Sequence, residues 1–112
     1  MRLFADEVVI VRPGTTTNRA GDEVDDWTRA TRATVPDVLV QPVSQAEVVE
    51  LGRDVATSLW RLLSARGVDV DLTARDRVEW AGVTHEVVGD VARFRVGGRV
   101  HHVEAVLQHV RG

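Results

Sequence analysis

The chain has 112 residues, no cysteine and a formal net charge of −3. This length supports one domain around one modest core, and without thiols neither disulfides nor thiolate metal sites can hold it together. The acidic balance argues against a protein whose main task is gripping nucleic-acid phosphates, which needs a basic excess.

The start, MRLFADEVVIV, has an apolar run of only four residues, and nothing later approaches a membrane span, so the expectation is a soluble chain without a targeting segment and without a membrane partner. Glu7 to Arg12 is a compact β-branched run stopped by Pro13-Gly14, a good first strand. Thr15 to Glu23 is polar and holds Asn18, Gly21 and Asp22, which predicts an exposed turn. Val24 to Thr34, around Trp27, reads as a short, irregular strand. Val35 to Val43 is extended because Pro36 and Pro42 forbid a helix interior, and a strand is expected at 37–41.

Ser44 to Gly67 admits two readings. As a helix, Ser44 and Glu47 form a capping box, Val48, Leu51, Val55, Leu59 and Leu62 recur at helical spacing, and Gly67 ends it. Against this, Gly52 interrupts the middle, and Asp54 to Leu63 also alternates like a strand, with Ala56, Ser58, Trp60 and Leu62 on one face. Gly67 to Asp76 is a polar connector whose Val68, Val70 and Leu72 are placed to cover one end of the core.

The clearest element is Asp76 to Gly89. Val78 and Trp80 alternate with Arg77 and Glu79, Ala81-Gly82 reverses the chain, and Val83, His85 and Val87 then share one face. That is a β-hairpin, with Gly82 supplying the positive φ of a tight turn. Gly89-Asp90 is expected to turn the chain into a third run, Val91 to Val96, and Gly97-Gly98 into a fourth, Arg99 to Val110. The fold class is therefore mainly β: a small single-domain β-barrel of about six strands spanning residues 1–112, ending in an antiparallel meander, with one anomalous insertion. Trp60, Val78 and Trp80 are assigned to its core. All three tryptophans, Trp27 included, read as core rather than as a stacking platform for bases.

Chemistry finds little footing. His85 can lie near His101 and His102 in the meander, but consecutive residues of a strand point to opposite faces, and no spacing imitates a zinc pattern. The histidines read as half-buried or surface residues. The carboxylates of Asp22, Glu23, Asp25 and Asp26, and of Asp69 and Asp71, match no calcium loop and read as solvated faces. Ser44, Ser58 and Ser64 sit in no nucleophile elbow, and the glycine pairs are turn residues rather than phosphate cradles. Neither enzyme activity nor a cofactor is expected.

The framework as a whole goes further. FADEVVIVRPG, NRAGDEVDDW, VPDVLVQP, DRVEWAGVTHEVVG and HHVEAVLQHV, in this order and spacing, resemble the head-to-tail stopper, or head-closure, proteins of long-tailed bacteriophages. The resemblance spans nearly the whole chain. It implies a virion protein, made in the host cytoplasm, that docks as a homo-oligomeric ring of about twelve copies. The portal and adaptor ring lie above, a tail completion or tail terminator protein lies below, and packaged double-stranded DNA in the channel is held without sequence reading. In that family a loop between two main strands helps shut the channel. By position it corresponds to Val43, Ser44, Gln45, Ala46, Glu47, Val48, Val49, Glu50, Leu51, Gly52 and Arg53. The segment is more apolar than the family pattern and fits a short helix around Glu47 to Leu51. Competing readings are another connector component, either the adaptor, mostly helical in this system, or the tail completion protein, and a small nucleic-acid-binding barrel.

Overall fold

The computed structural model describes residues 2–52 and 58–110. Six strands, β1 (Asp6–Thr17), β2 (Glu23–Pro42), β3 (Leu59–Ser64), β4 (Arg77–Trp80), β5 (Val83–Val96) and β6 (Arg99–His109), close into a ring in the order β1-β2-β3-β6-β5-β4. Every neighbouring pair is antiparallel. One short helix, α1 (Gln45–Glu50), interrupts the run between β2 and β3. Antiparallel pairing all the way round sorts the connections. The 18–22 turn, the 65–76 connector and the 97–98 turn lie at one end of the ring; residues 43–52, which follow β2, and the 81–82 turn lie at the other.

The core follows the period-two alternation of the strands. Val8 and Ile10 of β1, Val38 and Val40 of β2, Leu62 of β3, Val78 of β4, and Val103, Ala105 and Leu107 of β6 point inward and are buried together. Trp60 and Trp80 pack against this cluster with ring centroids 4.9 Å apart, tilted by 57°. Val70 and Leu72 of the connector, both buried, close one mouth of the ring, whereas Val68 is exposed.

Four expectations are corrected. Thr15 to Glu23 is not all turn: Thr15, Thr16 and Thr17 pair with Asp25, Val24 and Glu23 at the ends of β1 and β2, and only residues 18–22 reverse the chain. Val24 to Thr34 is no short strand: it belongs to the 20-residue β2, which stays paired with β1 by bulging. Extra residues are accommodated on β2 between the Arg12↔Thr31 and Gly14↔Asp26 pairs and between Asp6↔Val38 and Val8↔Val35. Pro13 and Pro36 sit at these irregularities and Pro42 at the strand end, where a missing N–H breaks no regular ladder. Gly89-Asp90 is not a turn. β5 runs unbroken through it, and Gly89, at φ 72°, supports a bulge between Val88 and Ala92, so the closing meander has three strands rather than four. Trp27 stands outside the core, half-buried, with the Arg77 guanidinium 3.9 Å above its ring.

The histidine expectation also changes. His85 is buried within the ring, its Nδ1 3.3 Å from the Val78 carbonyl oxygen, and its register partner is His109 rather than His101 or His102. His101 is the extra residue of a bulge on β6, since Phe94 pairs with His102 and Arg95 with Val100. The bulge abolishes the alternation expected of consecutive residues and brings the two Nδ1 atoms of His101 and His102 to 2.8 Å.

Candidate functional site

The segment 43–52 begins where Pro42 ends β2. Ser44, extended at φ −65° and ψ 154°, caps α1 by accepting the Glu47 amide on its hydroxyl at 3.2 Å. The reciprocal half of the capping box is absent, because the Glu47 carboxylate turns instead to the Arg61 guanidinium on β3. That pairing raises the Arg61 pKa above its ordinary value, against the opposing effect of partial burial. The helix closes with Leu51 N donating to Glu47 O at 3.0 Å and Gly52 N to Val49 O at 2.9 Å.

Both sequence readings of this region are thus realised in part: a helix with the expected start, cut short at Gly52, and then a strand. Arg53 and residues 54–57 of the strand reading lie outside the described residues.

What holds α1 in place is a second, smaller cluster. Val48 is buried together with Val43 and Leu59, and Val88 and Val106 pack against them. Leu59, Val88 and Val106 alternate with the inward-facing Trp60, Val87 and Leu107, so this cluster lies on the outer wall where β3, β6 and β5 run side by side. One face of α1 is therefore clasped to the barrel by Val48 and Glu47, while Val49, Glu50 and Leu51 are exposed. Exposed apolar residues adjoining an anchored helix turn make a surface suited to protein contact rather than to chemistry. Trp60, Val78 and Trp80 stand behind this wall: Val78 is fully buried, and the two tryptophans are partly buried against the core.

At the opposite mouth, sequence reading missed a polar lashing. Arg12 donates from Nε to Asp76 Oδ1 and from Nη2 to Asp76 Oδ2, both at 3.0 Å, and also holds Asp71 through both its carboxylate and its carbonyl. Asp76 further accepts the Thr73 amide at 2.8 Å. Arg93 donates to the carbonyls of Val70 at 2.8 Å and Leu72 at 3.0 Å, and the Ser64 hydroxyl bridges Val68 O and Val103 N. The connector is thereby fixed over the core. No local motif announces these bonds, because Arg12 is 64 residues from Asp76. Among the described residues no group of three or more histidine or acidic side chains could hold a metal ion.

No protein-family model matches the chain, and no curated protein matches it. Solved structures do. The chain is similar over 97% of its length to protein SF1141 from Shigella flexneri 2a, known from a solution structure, covering 96% of that chain with a TM-score of 0.64 and 18% identity. It is also similar over 93% of its length to a chain of the virion of a native gene transfer agent particle, covering 93% of that chain with a TM-score of 0.60 and 14% identity. At these identities the likeness is one of fold, and it extends over more than nine tenths of each chain.

Proposed function

We propose that this chain is a structural protein of a tailed-phage-like particle, acting at the head-to-tail connector, where a ring of copies beneath the portal and adaptor closes the DNA channel after packaging and offers the tail its attachment surface. The observation that carries the phage-type structural role is the end-to-end fold likeness to a chain of the gene transfer agent virion. The connector role rests on the resemblance of the framework motifs to head-closure proteins.

In this reading the segment 43–53 is the gate. A ring of about twelve copies multiplies each weak contact by symmetry, so a single helical turn per copy suffices to close an axis. Val49 and Leu51 supply the apolar contacts between neighbouring segments, and Glu50 adds negative charge that repels the genome rather than binding it. The clasp of Val48 and the Glu47–Arg61 pair defines one position of the segment, and its release defines the other. The strand-dominated structure speaks against the mostly helical adaptor.

The test uses DNA-filled, tailless heads that lack this protein. Added chain is expected to sediment with the heads, to appear as a ring under the portal and to stop DNA loss. A variant lacking residues 43–53 is expected to bind while DNA still leaks. Retained DNA with that variant sinks the gate assignment, and binding to isolated tails instead of heads moves the chain to the tail side of the junction.

A further inference from the structure

Two strand pairs outrun the ring. β4 reaches β1 only over Val9–Val11 and β5 only as far as Glu86, and β3 reaches β6 only as far as Glu104. Beyond those points β1 and β2 continue as a two-stranded arm through the pairs Gly14↔Asp26 to Thr17↔Glu23, and β5 and β6 as another through Ala92↔Glu104 to Val96↔Arg99. Both arms rise from the same end of the ring. They stand on opposite walls, since β1-β2 and β6-β5 are separated by β3 on one side and β4 on the other.

Their charges are opposite. The first arm carries the run Asp22-Glu23-Val24-Asp25-Asp26, four carboxylates in five residues. Against these stands one arginine, Arg19, whereas the second arm, residues 92–104, carries three arginines and one carboxylate, Glu104 at its base. Arg93 is engaged with Asp69 and the connector carbonyls, but Arg95 and Arg99 are exposed. Apolar surface accompanies both: Phe94 is 44% and Val96 67% exposed on the basic arm, and Val24 is exposed on the acidic one. Phe94 is held in place by stacking on His102, with centroids 4.6 Å apart and planes within 6°.

We infer that the basic β5–β6 arm of one copy docks on the acidic β1–β2 arm of the next, with Arg95 and Arg99 facing Asp22 and Glu23, and Phe94 and Val96 covering Val24. Two different, complementary patches on opposite walls of one molecule make a heterologous contact, which propagates from copy to copy and closes into a ring when the rotation per step permits. The inference rests on the connector reading insofar as it names the contact between copies of the proposed ring, but it is tested without heads.

The probe is reciprocal charge reversal on the full chain. Asp22→Lys with Glu23→Lys makes both sides of the proposed contact basic, and Arg95→Glu with Arg99→Glu makes both sides acidic; all four positions are exposed, and folding of each variant is checked by circular dichroism. In sedimentation at low salt the wild type is expected to self-associate, and added salt to weaken the association. Each double variant alone is expected to associate at least about tenfold more weakly, and an equimolar mixture of the two to recover wild-type association because opposite arms then alternate. A wild type that stays monomeric at millimolar concentration, variants that associate as the wild type does, or a mixture that stays monomeric overturns the inference. So does a monomeric wild type that binds a short DNA duplex through Arg95 and Arg99. Heads that leak despite intact self-association sink the connector reading alone, and heads sealed by either charge-reversed variant alone sink the arm contact alone.

Discussion

The Arg12 guanidinium grips the fully buried Asp76 carboxylate through two parallel hydrogen bonds of 3.0 Å, tying the second half of β1 to the start of its neighbour β4 at the rim of the ring. The geometry is the bidentate fork that makes arginine hard to replace. Asp76 also holds the Thr73 amide, so the carboxylate organises the connector that carries Val70 and Leu72 over the core.

Removing that carboxylate takes the partner from the part-buried Thr73 amide and from one side of a guanidinium. Asp76→Ala is expected to lower unfolding free energy by about 2–4 kcal/mol, read from urea denaturation. Asp71, whose side chain is largely in water, is the control. The Arg12 guanidinium holds its carboxyl below the usual range, yet Asp71→Asn is expected to leave the denaturation midpoint unchanged, because solvent screens the pair. Equal effects of the two substitutions would show that the connector does not depend on the buried anion.

His85 gives the fold an acid sensitivity. Burial, the largest influence, pushes its pKa below the ordinary 6.5, and neighbouring His109 lowers it further, while the hydrogen bonds to the Val78 and Val83 backbone oppose the shift. The unfolded chain therefore binds a proton that the folded chain resists as pH falls through 6.5, so this contribution to stability is intact above that pH and is lost between it and the lower folded pKa. Thermal melts from pH 7.5 downward are expected to show a decline over this window that is flattened in His85→Leu. An unchanged slope in the variant would assign the acid sensitivity to other groups.

The hairpin 76–89 was legible because its alternation, its two-residue turn and its inward-facing Val78 and His85 all agree within one short window. The start of α1 was legible for the same reason: Ser44 stands three residues before Glu47. What local pattern could not reveal is where bulges reset the alternation. Around Trp27, Pro36, Gly89 and His101 the ladder absorbs extra residues, so period-two reading breaks one strand into pieces or turns a side chain to the wrong face. The clasp of Val48 was hidden for a further reason. Its partners Leu59, Val88 and Val106 come from three strands whose adjacency depends on the order β3-β6-β5, and that order is a property of ring closure rather than of any segment.

The turn between β4 and β5 offers a stabilising change. Ala81 at φ 52° and Gly82 at φ 76° form the two-residue loop between Trp80 and Val83, the primed geometry that matches strand twist. Alanine is strained in this region, whereas asparagine tolerates it through local hydrogen bonding. Ala81→Asn is expected to raise unfolding free energy by about 0.5–1 kcal/mol, and Ala81→Val to lower it, in the same denaturation assay. Loss of stability in the asparagine variant would mean that this loop is not under backbone strain.

The two faces of α1 separate stability from closure. Val48→Ala removes buried contact with Val43 and Leu59 and is expected to cost about 1–2 kcal/mol, with the Glu47–Arg61 pair adding about 0.2–1 kcal/mol in a double-mutant cycle. Val49→Asp and Leu51→Asp alter side chains that already face solvent, and both are expected to leave the denaturation midpoint where it was. In filled heads the ranking should invert. Charged residues at 49 and 51 place repelling groups on the surfaces proposed to meet at the axis, so DNA retention is expected to fail although each copy is as stable as the wild type. Val48→Ala leaves those surfaces intact and only loosens the clasp, so it is expected to lose less DNA than either charged variant. Heads that stay sealed with Val49→Asp and Leu51→Asp together would remove 43–53 from the channel axis and leave α1 as a cover for the outer wall of β3, β6 and β5.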